Sequence, residues 1–176
     1  MPVPNDPDTV ADIMGRLGDG GAVCLLFGGW AEEALGLCEP RPHADIDLLL
    51  PARSFCGLDD LLRAGRDRLE EIPLKRFAHK RAFLFDGLLV EVLLVRQGPG
   101  TPYSLFWGDL RFEWSLPLSE AGLLGAHRMP CASRRNLRRY RAEYRSTEPW
   151  RWRNPTSRLV HPGPRSGRPG RGDEAC

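Results

Sequence analysis

Gly28-Gly29-Trp30-Ala31-Glu32-Glu33-Ala34-Leu35-Gly36, followed by Arg41-Pro42-His43-Ala44-Asp45-Ile46-Asp47-Leu48-Leu49-Leu50, is the stretch whose reading decides the fold. An apolar run, Ala22 to Phe27, precedes it and is short enough for a buried strand. Two glycines follow, and then Trp30, Ala31, Ala34 and Leu35 fall on one face of a helix. Asp45 to Leu50 reads as a second buried strand, so the order is strand, glycine turn, helix, loop, strand with two acids. Glycines at a strand-to-helix turn let backbone N–H groups approach a phosphate, and a helix N-terminus favours negative charge. Asp45 and Asp47 sit two apart, so on a strand their carboxylates share a face with Cα atoms roughly 6.5–7 Å apart. Like charges so placed need something positive between them. Hard oxygen ligands of this type suit Mg²⁺ completed by water and phosphate oxygens. The stretch reads as a phosphate-and-metal site.

Outward from it, Asp6-Pro7-Asp8 offers a cap and a first-turn proline, and Val10, Ile13, Met14 and Leu17 follow at helical spacing with Gly18 as a stop. Phe55, Leu58, Leu62 and Leu69 mark a second amphipathic helix weakened by Gly57 and Gly65. Arg81 to Phe85, Asp86-Gly87 and Leu88 to Val95 form a hairpin. Glu91 is the only charge in that second, eight-residue apolar strand, where an unpaired ionised carboxylate costs several kcal/mol. A raised pKa, a salt bridge, or a metal shared with Asp45 and Asp47 would each relieve it. Asp86 is the rival acid, but the turn accounts for it.

Tyr103 to Trp114 is aromatic and includes strand pieces, with Phe112-Glu113-Trp114 alternating as at a sheet edge, and Ala126 to Cys131 reads as a short final strand. Ser133 is placed to cap a helix reaching about Arg145, with Leu137, Tyr140 and Tyr144 on one face and arginines opposite. From Ser146 onward, five prolines and four glycines with almost no apolar spacing predict a disordered tail over 146–176 behind a domain over 1–145.

Composition bounds the rest. With 176 residues and 41% hydrophobic content, one domain with a real core is expected. No run approaches the ~20 apolar residues that span a bilayer, and the start lacks the order of a signal peptide. Cys24, Cys38, Cys56, Cys131 and Cys176 include no CxxC pair, which argues against a zinc site or disulfide framework and fits a reducing cytoplasm. The formal charge of +2 hides an asymmetry: residues 1–133 hold 13 Lys/Arg against 19 Asp/Glu, whereas 134–145 hold six Arg and one Glu. A basic end behind an acidic body suits a polyanion partner or, more simply, a solvated helix face.

Together the glycine pair, the spaced acids and Glu91 make the sequence resemble the polymerase-β-like nucleotidyltransferase superfamily, and most of all its antibiotic-modifying branch, the aminoglycoside and lincosamide nucleotidyltransferases. The resemblance covers roughly residues 20–145 and includes Met129-Pro130-Cys131-Ala132-Ser133 before the last helix. It implies an α/β (α+β) fold, a twisted mixed β-sheet flanked by helices. It also implies two Mg²⁺ ions held by Asp45, Asp47 and Glu91, a phosphate turn at Gly28 and Gly29, and a catalytic role for the three carboxylates. The implied reaction moves a nucleoside monophosphate, AMP from ATP, to a hydroxyl of a small molecule and releases pyrophosphate. In such enzymes the third carboxylate can also take the proton of the attacking hydroxyl. Three departures stand out: Glu91 and Glu33 replace frequent aspartates, and only one convincing helix follows the core. The last implies a small acceptor site or a homodimer. Two other readings of the same fold stay open, a non-catalytic nucleotide- or RNA-binding module and transfer to a protein or RNA acceptor.

Overall fold

A computed structural model describes residues 4–64 and 68–147 of the chain. Its centre is a nine-stranded mixed sheet. The strands are β1 (Leu25–Phe27), β2 (Asp45–Ala52), β3 (Leu69–Glu71), β4 (Lys80–Phe85), β5 (Leu88–Arg96), β6 (Tyr103–Phe106), β7 (Leu110–Glu113), β8 (Ser119–Leu124) and β9 (His127–Ala132). Their order is β3-β4-β5-β2-β1-β9-β8, with the β6–β7 hairpin joined to β5. The pairs β2–β5 and β1–β9 are parallel and the others antiparallel. The helices are α1 (Pro7–Asp19), α2 (Gly28–Ala34), α3 (Cys56–Ala64) and α4 (Arg134–Thr147). No described helix is long and apolar enough to cross a membrane.

Local sequence explains much of this. Asp6 caps α1 by accepting from the Thr9 N–H at 2.9 Å, with Pro7 in the first turn as expected. Asp86 and Gly87 take φ of 45° and 85°, the left-handed pair that a two-residue hairpin turn requires, and they set Phe85 opposite Leu88. The alternation in β2 sends Ile46 and Leu48 to one face and Asp45 and Asp47 to the other.

The two faces differ in kind. Ile46, Leu48, Val90 and Val92 are at most 1% exposed. Arg81, Phe83 and Phe85 lie opposite Val92, Val90 and Leu88 and share that face. There Arg81 reaches Asp59 of α3, and Arg16 of α1 lies over Phe85, so α1 and α3 cover this side. On the other side Phe27 packs on Tyr140 of α4 and on Trp114, with ring centroids 4.9 and 5.7 Å apart. Asn136 of α4 accepts from the Ser115 N–H at 2.8 Å and donates to the Ser115 and Leu118 carbonyls, fastening the segment between β7 and β8 beneath the helix.

Several expectations shift. Leu69 belongs to β3, opposite Phe85, and not to the second amphipathic helix, which ends at Ala64. Strand β8 adds to the expected elements; it is an edge strand with alternate residues exposed, and Ser-Glu-Ala-Gly-Leu-Leu carries little apolar alternation. Ser133 precedes α4, but among the described residues its buried hydroxyl has no partner; the Arg134 N–H donates instead to Glu120 Oε2 at 3.2 Å. Cys24, Cys38 and Cys131 are free thiols. The segment expected to be disordered lies outside the described residues from 148 onward.

Buried Asp59 bonds both arginines that face it, Arg81 Nε at 2.7 Å and Arg76 Nη2 at 2.7 Å. Removing one member of a buried ion cluster leaves its partners desolvated, so Asp59→Ala should lower the unfolding free energy by about 3 kcal/mol. Urea titration measures this, and a loss below about 1 kcal/mol would class the cluster with solvent-screened surface pairs.

Candidate active site

Three backbone segments meet at one end of the sheet: the β1–α2 junction, the start of β2 and the middle of β5. Asp47 stands opposite Phe27 of β1 on one side and opposite Glu91 of β5 on the other. Residues paired across a ladder share a face. Asp47 and Glu91 therefore leave the sheet on the same side, and Asp45, two residues from Asp47, joins them. Asp45 and Asp47 are half-buried, whereas Glu91 is only 9% exposed.

The glycine pair is explained by what packs against it. Gly28 opens α2 at a φ of +61°, and a Cβ there would lie 2.5 Å from Asp47 Oδ2. A Cβ on Gly29 would lie 2.6 Å from the His43 ring. Among the described residues no side chain caps the start of α2. The pair thus brings bare backbone against a carboxylate and an imidazole, a closeness that any larger residue would prevent.

Around this turn Glu33 accepts from the Arg41 N–H at 3.4 Å and lies 3.1 Å from His43 Nε2, while the His43 ring leans on Trp30 with centroids 4.2 Å apart. Glu33 is therefore a support for the loop that leads into Asp45, and Trp30, 4% exposed, is core. Glu32 accepts from Arg141 of α4 at 2.6 Å and stands 3.6 Å from Arg41. Arg134 donates to the Leu35 carbonyl at 2.7 Å and Arg139 to the Glu113 carbonyl. Much of the basic helix is thus committed to holding α4 in place, while Arg135 and Arg138 remain exposed.

Glu91 is relieved by ion pairing. Lys75 Nζ, at the end of a 3-10 turn (Pro73–Lys75), lies 2.8 Å from Oε1, and Lys80 Nζ lies 2.9 Å from Oε2. Burial by itself would raise this carboxyl's pKa, but the Lys80 and Lys75 ammonium groups outweigh it and hold the pKa below the ordinary 4.5. The raised pKa considered from the sequence does not occur. Among the described residues no arginine pairs with Glu91; Arg81 turns to Asp59 on the opposite face. Neither lysine belongs to a motif, but the hairpin register carries a signal for Lys80: with Phe85 opposite Leu88, counting back places Lys80 opposite Leu93, diagonal to Glu91.

The donor chemistry at Asp45 and Asp47, hard carboxylate oxygens on one face, fits Mg²⁺. The three-acid cradle fits less well. Each Glu91 oxygen already accepts from an ammonium, and among the described residues no group of three or more His, Cys, Asp or Glu side chains is placed to hold a metal ion.

No sequence-family model matches the chain, and no curated protein sequence does. Solved structures do match. One is the lincomycin-bound lincosamide antibiotic adenylyltransferase LnuA, at a TM-score of 0.63 and 14% identity over 82% of this chain and 89% of that one. The chain has a nucleotidyltransferase fold. The antibiotic-resistance factor ANT(2'')-Ia, in complex with adenylyl-2''-tobramycin, superposes with a TM-score of 0.59 at 17% identity over 83% of this chain and 80% of that one. Its solution structure gives 0.58 at 16% identity over 80% and 71%. At such identities the likeness is one of fold, and the mixed sheet flanked by helices agrees with it.

Two outcomes test this geometry. Gly28→Ala should destabilise the chain by about 1–2 kcal/mol from the left-handed backbone alone, with a further loss from the contact at Asp47; an unchanged urea midpoint would contradict the φ assigned here. Because the Glu91 pKa is depressed in the folded state, its stabilising contribution is full above the ordinary value of 4.5 and is lost as pH falls through the folded value. The stability margin of the wild type over Glu91→Gln should accordingly be largest near neutrality and shrink below about pH 4, as read by urea unfolding across that range.

Proposed function

We propose that this chain is a Mg²⁺-dependent nucleotidyltransferase that moves AMP from ATP to a hydroxyl of a small molecule, an aminoglycoside- or lincosamide-like compound, and releases pyrophosphate. The single observation that carries the reading is the register that sets Asp47 beside Glu91 on one face, with Asp45 next to them and Gly28 pressed against Asp47. The neighbours of the same fold support it, one named as an adenylyltransferase with lincomycin bound and another holding an adenylylated tobramycin.

In this reading Asp45 and Asp47 are the Mg²⁺ ligands. The bound ion would supply positive charge to the triphosphate and orient an in-line displacement at the α-phosphorus. Gly28 and Gly29 present backbone without side chains where the phosphates pass. Glu91 stays ionised because two ammonium groups hold it so, and each of its oxygens keeps a second lone pair for a hydrogen bond from the acceptor hydroxyl. The protein's share is positioning and charge, which suffices for transfer of an already activated phosphoryl group.

Incubation with Mg²⁺, labelled ATP and a panel of hydroxylated acceptors tests this, with mass spectrometry locating the added nucleotide. Asp45→Ala and Asp47→Ala should each reduce product and pyrophosphate release by on the order of 10³-fold, as expected when charge stabilisation at the reacting phosphorus is removed. Equal release by wild type and Asp45→Ala would end the reading. Adducts found only on protein or RNA would reassign the acceptor.

A further inference from the structure

We infer that the acceptor lies on the β4 side of Glu91 and is a hydroxylated molecule with an apolar face and at most one amine, not a polycation. The inference rests on the proposed nucleotidyl transfer and names the class of acceptor for that same site.

Strand order is the first ground. Across the sheet run β1, β2, β5 and β4, and they bring in turn the glycine turn, the two aspartates, Glu91 and Lys80. In the proposed reading the phosphates lie at Gly28 and Gly29, on the β1 side of Asp47. An in-line displacement keeps the entering and leaving groups on opposite sides of the reacting phosphorus. With pyrophosphate leaving toward β1, the acceptor enters from β4, and its hydroxyl meets Glu91 on the way.

What that flank presents is the second ground. Phe77 bridges to Lys80, and residues paired in this way share a face, so the Phe77 ring leaves the sheet on the Glu91 side. It is half-buried and stacks on the His79 ring with centroids 5.6 Å apart. Burial, with the Lys80 and Arg81 charges, pushes the His79 pKa down to about 4, so that ring is neutral. Lys75 and Lys80 set two ammonium groups against one carboxylate, at 2.8 and 2.9 Å, and each Glu91 oxygen keeps a lone pair for the hydroxyl. Glu71 and Asp59 are held by Arg76 and Arg81 on the opposite face. Two exposed acids, Glu70 opposite Leu84 and Asp109 two residues after the Trp107 that packs on His79, stand toward opposite ends of β4. Either can receive one amine. A cluster of ammonium groups beside Glu91 would instead meet Lys75 and Lys80, and juxtaposed like charges suppress binding. The Phe77 ring offers an apolar surface in their place.

The test compares AMP transfer by the full chain, with Mg²⁺ and ATP, to a polycationic aminosugar and to the same compound with every amine acetylated. The acetylated form should be used with a kcat/KM higher by about tenfold or more. That preference should shrink in about 1 M salt, where the Debye length is about 3 Å, and should narrow in Lys75→Met. Phe77→Ala should raise the KM for the acetylated acceptor by about tenfold and leave the KM for ATP unchanged. Equal or better use of the polycation by the wild type would overturn the inference while leaving the proposed transfer intact, and this holds even if the variants fail to fold. A preference that salt does not reduce would assign it to bulk and not charge, and would overturn the inference too. A folded Phe77→Ala with an unchanged acceptor KM would overturn the placement along β4. Transfer to no acceptor of any kind would overturn the proposed function and this inference with it.

Discussion

The parallel register of β2 on β5 is the constraint on which the acidic end of this molecule depends. It sets Asp47 beside Glu91. Because side chains alternate across a sheet, a slip of one residue would send Glu91 into the apolar layer with Ile46 and Leu48 and bring Val90 or Val92 out beside the aspartates. The slip is resisted by that apolar layer itself: Ile46, Leu48, Val90 and Val92 are almost fully buried under α1 and α3, and each would have to exchange its place for a charge. Burial on the dry side thus holds the acids together on the wet side.

The adjacent residues Lys80 and Arg81 show how one strand serves two buried charge clusters. Alternation points Lys80 to Glu91 and Arg81 to Asp59, on opposite faces of β4. The clusters differ in their cations. Asp59 is gripped by two planar guanidinium groups, Arg81 giving two bonds and Arg76 adding two more. Such forks suit a fixed structural pair. Glu91 is met by two ammonium groups, compact charges whose three donors can turn toward another anion without losing their geometry. The arginine cluster joins α3 to the sheet; the lysine cluster stands where the chemistry is proposed.

The glycine turn and α4 complete the arrangement. Gly28 lets the backbone lie against Asp47, and α2 then carries Glu32 and Glu33 outward, one to Arg141 of α4 and the other to His43 of the acid-bearing loop. The arginine-rich helix, which on composition alone suits a polyanion, is in good part an internal brace through Arg134, Arg139 and Arg141. Its apolar side, Leu137 and Tyr140, covers Phe27 and the aromatic cluster of Phe106, Phe112 and Trp114.

What the sequence determined by itself was local. The cap at Asp6, the Asp86-Gly87 hairpin and its register, the shared face of Asp45 and Asp47, and the oddity of Glu91 among apolar neighbours all follow from dihedral preference and strand alternation. The family likeness joined these into one fold. Only the tertiary structure decided that Leu69 leaves the second helix for a strand, that Ser119–Leu124 forms an edge, and that Lys75 meets Glu91. The physical reason is distance along the chain: pairing β2 with β5 or bringing the Pro73–Lys75 turn beneath β5 depends on packing between remote segments, for which no short-range pattern exists. The neutraliser of a buried acid is likewise selected by whatever cation the finished fold can bring within reach, and here it brought two lysines.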